Sequence, residues 1–240
     1  MKSAGGQGDR TTNGHRGPWG RCDRTSAATR EPLTYDRIAA AAIELADSDG
    51  LAAVSMRRLA ENLGVTTMAP YRYISGKDDL FETMVDTVHE DVALPVPGTG
   101  WAETLRSYAE QLRRVTVRHP WLVQIYARLP GILTPRLAEL SEQVLASMDT
   151  LEIDADARIA MLTSVTAYAQ GAAAAEVARK RQMSRSAYHP YRAELIESGR
   201  YPRLVDYVVN GSDQDTADQS FGFGLDCLIH GMGADVRGSG

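Results

Sequence analysis

Residues 55–77 read SMRRLAENLGVTTMAPYRYISGK, and this stretch decides how the fold of the chain is interpreted. Its first half has helical spacing, which places Leu59 and Leu63 on one side of a short helix. Ala60 is small enough to let a neighbouring helix approach closely. Gly64 tolerates the left-handed backbone with which many helices end. These features are typical of the first helix and the turn of a helix-turn-helix.

The second half of the stretch is predicted to form a recognition helix that begins at Thr67 and ends near Ile74. Pro70 then lies in the first turn of this helix, where its missing N–H has no intrahelical partner to lose. The segment combines hydroxyl groups, aromatic rings and the cation of Arg72. Side chains of these kinds can contact base edges and phosphates in the major groove of DNA.

The rest of the sequence has helical periodicity and no alternating strand pattern of useful length, so we predict an all-α protein. Pro95, Pro97 and Gly98 interrupt the periodicity and mark a domain boundary. The predicted organisation is a DNA-binding domain over residues 34–94 and a ligand-binding and dimerisation domain over residues 101–233. Helices are expected to start at or near Thr34, Ser55, Asp78, Trp101, Pro120, Thr134, Asp154 and Asp215.

Charge is distributed unevenly along the chain. The 240 residues carry a formal net charge of −5, which excludes a protein that binds nucleic acid through a globally cationic surface. Residues 55–77, however, contain four basic residues against one acidic residue, and residues 1–33 contain six against three. Residues 1–33 are polar and are predicted to be a disordered tail. This tail is either a solvated terminus or a basic arm that contacts DNA.

The sequence also indicates where the protein works. It has no run of about 18 apolar residues that could span a membrane, and its first residues lack the apolar core of a secretory signal. Cys22 and Cys227 lie far apart in very different contexts, so a disulfide framework is not expected. We therefore predict a cytoplasmic protein with no membrane partner.

Residues 54–65, 71–74 and 77–80 together resemble the DNA-binding domain of tetracycline-repressor (TetR) family regulators. The resemblance implies a three-helix head that binds DNA, a larger all-α body, and repression that a small molecule relieves. Pro70 departs from the family pattern, which usually has a large apolar residue at this position. The residues implied to contact DNA are Ser55, Arg57, Thr66, Thr67, Met68, Ala69, Tyr71, Tyr73 and Lys77.

Residues 221–232 resemble the last, dimer-forming helix of the same family. Their apolar residues recur on one stripe of a helix. Gly222 and Gly224 weaken a helix, so we expect the close approach of another helix to explain them. The prediction is a four-helix dimer interface, and the alternative is that the stripes lie in the core of a single chain. The predicted interface residues are Ala169, Ala173, Phe221, Leu225, Leu228, Ile229 and Met232.

The body is expected to hold a small-molecule effector between its helices. Residues 119–130 resemble a ligand-domain segment of the family, and the aromatic residues favour an apolar or aromatic effector. Tyr126 falls near the place of the histidine that binds metal in tetracycline-binding members. Neither tetracycline nor Mg²⁺ is therefore predicted, and no cofactor or other metal site is expected. The predicted pocket residues are Tyr108, Trp121, Tyr126, Leu129, Met161, Val165 and Tyr168.

These patterns predict a homodimeric transcriptional repressor, not an enzyme, that binds a pseudo-palindromic operator in double-stranded DNA and is released by its effector. Two alternatives stay open at this point. Asp78 and Asp79 imitate the carboxylate pair with which helical enzymes bind a metal and a diphosphate. A helical ligand-binding module with a vestigial DNA-binding head would carry the same motifs.

Overall fold

A computed structural model describes residues 32–183, 192–210 and 216–238 of the chain. All regular secondary structure within these residues is helical, which confirms the all-α prediction. The chain divides into two compact units, one ending at Thr87 and one beginning at Val88. The predicted tail over residues 1–33 lies outside the described residues except for its last two positions.

The first unit is built from short helices. In chain order they are α1 (Tyr35–Asp49), a 3-10 turn (Leu51–Ala53), α2 (Met56–Leu63), a second 3-10 turn (Pro70–Arg72) and α3 (Lys77–Val88). α1 packs against α2. A helix as short as α2 is unstable in isolation, so burial of its apolar face must order it. The buried side chains of this unit include Ile38, Ala42, Leu59, Ala60, Ile74, Leu80, Phe81 and Met84.

Side chains cap the first two helices at the positions that the sequence predicts. Oγ1 of Thr34 accepts a hydrogen bond from the backbone N–H of Arg37 at 3.2 Å. Oγ of Ser55 accepts one from the backbone N–H of Arg58 at 3.3 Å. Gly64 has a φ of 64° and ends α2 in the left-handed conformation. Both predicted caps and the predicted turn are therefore confirmed.

The second unit is arranged around two long helices, α4 and α7. α4 packs along α7, and α6 and α10 each pack against both of them. The helices of this unit are α4 (Trp101–Arg118), α5 (Leu122–Arg128), α6 (Pro135–Ala146), α7 (Ala155–Met183), α8 (Arg192–Glu197), α9 (Pro202–Asn210) and α10 (Thr216–Gly238). Within the described ranges, no helix of either unit has the length and apolar character needed to cross a bilayer.

α3 ends at Val88, well before the prolines that the sequence suggests as its end. The side chain of Arg136 on α6 donates hydrogen bonds to the backbone oxygens of His89, at 3.2 Å, and Val92, at 2.5 Å. These bonds satisfy carbonyl groups beyond the end of the helix and hold the chain in a non-helical path. A residue far along the sequence thus fixes the path of residues 89–92, which local patterns do not reveal.

Gly224 marks a close contact between α10 and α7. A Cβ atom added there would overlap the ring and hydroxyl of Tyr168. Tyr168 stacks on Phe221, with ring centroids 5.4 Å apart, and donates a hydrogen bond to the backbone oxygen of Phe221 at 2.9 Å. Gly222, in contrast, would meet no atom within 4 Å. The close approach of α7 therefore explains why a glycine stands at position 224 but not why one stands at position 222. α7 belongs to the same chain as α10.

We expect Gly224→Ala to lower the free energy of unfolding by about 1–3 kcal/mol, because the added methyl group must displace an anchored tyrosine. Gly222→Ala is the matched control in the same helix. It should raise stability by up to about 1 kcal/mol, since alanine favours the helix and meets no neighbour. Chemical denaturation measures both effects, and a stabilising Gly224→Ala would contradict this packing.

Candidate DNA-binding surface and ligand cavity

The start of α2 places cations on the surface of the first unit. The Arg57 side chain is 82% exposed, and its Nε donates to Oε1 of Glu61 at 2.9 Å. Arg58 pairs with Asp49 at the end of α1, and its hydrogen bond and charge lower the pKa of the Asp49 carboxyl. Ser55 is exposed as the cap of α2. Exposed ion pairs are weak, so a phosphate can readily replace the carboxylate partner of Arg57.

Residues 66–72 form a tight turn followed by one 3-10 turn, which corrects the predicted recognition α-helix from Thr67. In an α-helix the backbone oxygen of Thr66 would accept from the residue at position 70. Pro70 has no N–H to donate. The N–H of Ala69 takes the Thr66 oxygen instead, at 2.9 Å. This bond closes the tight turn, and the N–H of Tyr73 donates to the oxygen of Pro70 at 2.9 Å with the same i to i+3 spacing in the 3-10 turn that follows.

The 66–72 turn displays several of the side chains predicted to contact DNA. Met68 is 70% exposed and Tyr71 is 46% exposed. Thr66 and Thr67 are exposed as well. Pro70 is buried and anchors the turn to the unit between these exposed positions. The arrangement leaves the neighbouring side chains open to solvent, as contacts with base edges require.

The other predicted contacts differ in how open they are. Lys77, the first residue of α3, is exposed, and its Nζ lies 5.4 Å from the ring centroid of Phe81. Ala69 and Tyr73 are half-buried. The Tyr73 ring packs edge-on against Tyr35, with centroids 5.4 Å apart. Lys77 is therefore placed to meet a phosphate, whereas the Tyr73 ring mainly supports the turn.

Asp79 closes the loop between the 66–72 turn and α3. It is 1% exposed, and its Oδ2 accepts hydrogen bonds from the backbone N and the Oγ of Ser75 at 2.7 and 2.9 Å. Oδ2 thus holds the loop before α3, whereas Oδ1 is buried with no hydrogen-bond partner among the described residues. In the part of the chain that the structure describes, no cluster of three His, Cys, Asp or Glu side chains could hold a metal ion.

The second unit contains an open cavity of about 420 Å³ between α4, α6 and α7. Small-molecule sites commonly have this size. The wall is mostly apolar, and the described side chains that line it carry hydroxyl and amide groups but no charge. The lining residues are Tyr108, Leu112, Tyr126, Leu129, Pro130, Gly131, Ile132, Leu133, Leu137, Ser141, Leu162, Thr163, Thr166, Ala167 and Gln170.

Three of the predicted pocket residues, Tyr108, Tyr126 and Leu129, line this cavity. Trp121 does not. It is 1% exposed, and its ring lies beside that of His119, with centroids 5.6 Å apart. Trp121 lies at the start of α5 and is a core residue.

On α7 the prediction selected the wrong face for the cavity. Met161 and Val165 are 7% and 0% exposed in the core, and the Tyr168 hydroxyl binds the backbone of α10. The cavity is lined instead by residues one position along, including Leu162 and Thr166. Successive residues of an α-helix are rotated by about 100°. A one-residue shift therefore exchanges a core position for a cavity position. Because α7 carries apolar or small residues on both faces, its sequence does not distinguish the core positions from the cavity positions.

Tyr126 links the cavity wall to the segment after α3. Its hydroxyl lies 3.2 Å from Nε2 of His89, which has no exposed surface. Burial raises the pKa of the Tyr126 hydroxyl. Burial also raises the pKa of Tyr108, although its hydrogen bond with Thr166 acts in the opposite direction. Both phenols are neutral at physiological pH and offer a ligand hydrogen bonds rather than charge.

Arg113 joins α4, α7 and α10 beside a second cavity of about 440 Å³. It donates to Oε2 of Glu176 at 2.6 Å, pairs with Asp218, and lies 4.7 Å above the centroid of the Phe221 ring. Burial acts to raise the pKa of Glu176, but hydrogen bonds and charges from Lys180 and Arg113 lower it. An arginine already paired with two carboxylates is suited to holding three helices together.

Most residues predicted to form a dimer interface are covered within a single chain. Ala169, Ala173 and Leu225 have no exposed surface, and Phe221 and Ile229 are 5% exposed. The other two, Leu228 and Met232, are half-buried. A side chain that its own chain already covers has no surface left for a second copy. For the five buried residues, the alternative interpretation therefore holds: they belong to the core of a single chain.

Two family models match the sequence. The model described as "Bacterial regulatory proteins, tetR family" matches residues 38–84. The model described as "Tetracyclin repressor-like, C-terminal domain" matches residues 94–236. The two matches correspond closely to the first and second units of the structure.

The chain is also similar to individual regulators. It is 31% identical over 227 residues to the HTH-type transcriptional repressor DrrR1 of Streptomyces coeruleorubidus, with 89% of this chain and 82% of that protein covered. An HTH-type transcriptional regulator of Saccharopolyspora erythraea is 31% identical over 223 residues, covering 90% and 91%. The TetR family protein ActR of Streptomyces coelicolor, solved in complex with actinorhodin, is 25% identical with a TM-score of 0.69, covering 85% and 99%. The chain belongs to the tetracycline-repressor (TetR) family of bacterial transcriptional regulators.

Proposed function

We propose that this ligand-responsive, DNA-binding repressor acts in the cytoplasm as a homodimer, whose two heads bind the halves of a pseudo-palindromic operator. The DNA-binding domain is assigned to residues 34–94, and the ligand-binding and dimerisation domain to residues 101–233. The observation that carries the proposal is the exposed 66–72 turn, which follows a capped α2 and is anchored by a buried proline.

The exposed side chains of the head divide into two groups by chemistry. Arg57, Tyr71 and Lys77 are assigned to phosphates, where they supply affinity without sequence information. Thr67 and Met68 are assigned to base edges, where they supply specificity. Supporting contacts from the same surface are assigned to Ser55, Thr66, Ala69 and Tyr73.

The cavity of the second unit is assigned to the effector. Its mostly apolar wall and neutral polar groups favour an apolar or aromatic molecule with a few hydrogen-bonding oxygens. The complex of ActR with actinorhodin supports a small-molecule effector for this chain. Release of DNA requires that the effector bind more tightly to a form of the dimer whose heads no longer fit the half-sites, since an equilibrium shifts only by such a difference in affinity.

We assign the dimer interface to the outer faces of α7 and α10, in place of the buried residues selected from the sequence. Phe223 of α10 is 73% exposed, and Cys227, one turn further on, is also exposed. α7 exposes a stripe of small residues, which allow helix backbones to approach closely. The exposed stripe consists of Ala160, Ser164, Gly171, Ala175 and Ala178, and Ala167, between them, lines the cavity. Two such helices from each copy would bury these faces in a four-helix arrangement.

Neither alternative function gains support from the site. An enzyme that used Asp78 and Asp79 together would need both carboxylates open to a metal, but Asp79 is buried and bound to Ser75. A head that had lost DNA binding is not expected to keep hydroxyl, apolar and cationic side chains exposed together beside a well-formed α2. The head described here retains such an array.

Lys77→Ala should weaken binding to every DNA sequence and reduce the slope of log affinity against log salt by about 2 per dimer, roughly one for each lost phosphate contact. The physical reason is that fewer counterions are released on binding. Lys180→Ala is the matched control, because Lys180 pairs with Glu176 in the second unit. Fluorescence anisotropy with a duplex selected from random DNA measures both slopes, and an unchanged slope in Lys77→Ala would count against the contact.

Ser141→Trp should fill the effector cavity without changing DNA affinity. Ser141 lines the cavity, whereas the next residue of α6, Glu142, is exposed and lines no part of it. Binding of the neutral aromatic probe 1-naphthol, followed by fluorescence, should weaken at least about tenfold, or about 1.4 kcal/mol, in Ser141→Trp. Glu142→Trp should bind the probe as the unmodified protein does. Equal probe binding by the two variants would remove the cavity from consideration.

Phe223→Asp should convert the dimer into a folded monomer, because it places a charge on the proposed interface rather than in the core. Val96→Asp is the control, since Val96 is 76% exposed elsewhere in the second unit. Light scattering coupled to size-exclusion chromatography gives the mass of each variant, and circular dichroism checks that helix content is retained. A dimeric Phe223→Asp variant would show that this face is not the interface.

A further inference from the structure

The first unit exposes two large hydrophobic side chains in one place. Among its described residues, the large hydrophobic side chains that are exposed are Met68, at 70%, and Tyr71, at 46%. They lie three positions apart in the 66–72 turn. Tyrosine carries a hydroxyl that can bind a phosphate, but methionine has no strong polar group to offer. In a turn that enters a major groove, an apolar side chain of this kind matches an apolar group on a base edge.

The composition of the turn limits which bases it can read. Residues 65–71, VTTMAPY, contain no Arg, Lys, Asn or Gln, whereas Arg72, which ends the turn, is exposed and can reach a guanine or a phosphate. Residues 65–71 also contain no Asp or Glu, which accept from cytosine. The hydroxyls of Thr66 and Thr67 can bind several bases, but Met68 offers no group for such a hydrogen bond. The feature of the major groove that suits Met68 is the C5-methyl of thymine, which apolar side chains contact.

The backbone holds Met68 at a defined position. The residue after it, Ala69, donates its N–H to the backbone oxygen of Thr66 at 2.9 Å. Pro70 is buried, and its oxygen accepts from the N–H of Ile74 at 3.0 Å. The turn is thus fixed on both sides of Met68. The methionine side chain itself is flexible and polarisable, so it can adapt its end to a methyl group.

We propose that Met68 is a specificity-determining residue that contacts the C5-methyl group of one thymine in each half-site of the operator. This inference rests on the proposed function, since it requires the 66–72 turn to enter a major groove. It names the base feature that the turn reads, which the assignment of Met68 to base edges leaves open.

The test removes single methyl groups from the DNA. Duplexes are first selected from a random-sequence library with the full-length protein. Each thymine of one half-site is then replaced in turn by 2′-deoxyuridine, which differs only by the C5-methyl group. For the unmodified protein, one such replacement should weaken binding roughly fourfold, the equivalent of about 0.8 kcal/mol for one buried methyl group.

Variants identify the side chain that senses the methyl group. Met68→Ala should lose the effect at that thymine, and Met68→Leu, which keeps an apolar side chain, should retain it. Met68 is exposed, so neither change should alter folding, and thermal unfolding checks this. Lys77→Ala is the control on the DNA side. It should weaken binding to all duplexes alike and keep the fourfold effect of the methyl group.

The outcomes separate this inference from the function on which it rests. Selection of a specific sequence, together with a methyl effect that Met68→Ala abolishes, supports both. A specific sequence whose thymine methyl groups are neutral, or whose methyl effect persists in Met68→Ala, overturns the role of Met68 and leaves the repressor function intact. Failure to select any sequence over nonspecific DNA overturns the repressor function and this inference with it.

Discussion

The packing of α4 along α7 is the contact on which the second unit depends. α6 and α10 each pack against both of these helices, and the proposed effector cavity lies in the space that α4, α6 and α7 leave between them. Arg113 fastens the pair to α10 by binding Glu176 and Asp218. A ligand that enlarges the cavity must therefore act on the same helices that carry the proposed dimer face. In the proposed repressor, ligand binding and subunit arrangement therefore depend on the same helix contacts.

α7 shows how one helix serves several functions. One face is core, as the complete burial of Ala169 and Ala173 shows. A second face, which includes Thr166, lines the cavity, and a third exposes small residues such as Gly171. Successive positions are rotated by about 100°, so these faces interleave along the sequence. The small residues serve both inward packing and, in the proposed dimer, the approach of a second copy.

In the first unit Pro70 lies at the centre of the surface proposed to meet DNA. It has no N–H to donate to the oxygen of Thr66, the N–H of Ala69 donates there, and the chain forms a tight turn followed by a 3-10 turn. The burial of Pro70 anchors this turn, which keeps Met68 exposed beside it. Substituting a compact turn for a longer helix limits the number of side chains that reach the bases. Specificity is then concentrated in few residues.

The sequence by itself determined the all-α class, α2 with its turn at Gly64, and the caps at Thr34 and Ser55, because these depend on residue types and spacings within a few positions of the chain. It also located Tyr108, Tyr126 and Leu129 in the cavity wall. Tertiary structure decided the path of residues 89–92, the 3-10 form of the predicted recognition helix, the faces of α7 and α10 that are buried, and the remainder of the cavity lining. The reason is that an apolar stripe shows which residues share a helix face but not which helix packs against that face. A one-residue shift around a helix also turns a side chain toward a different neighbour.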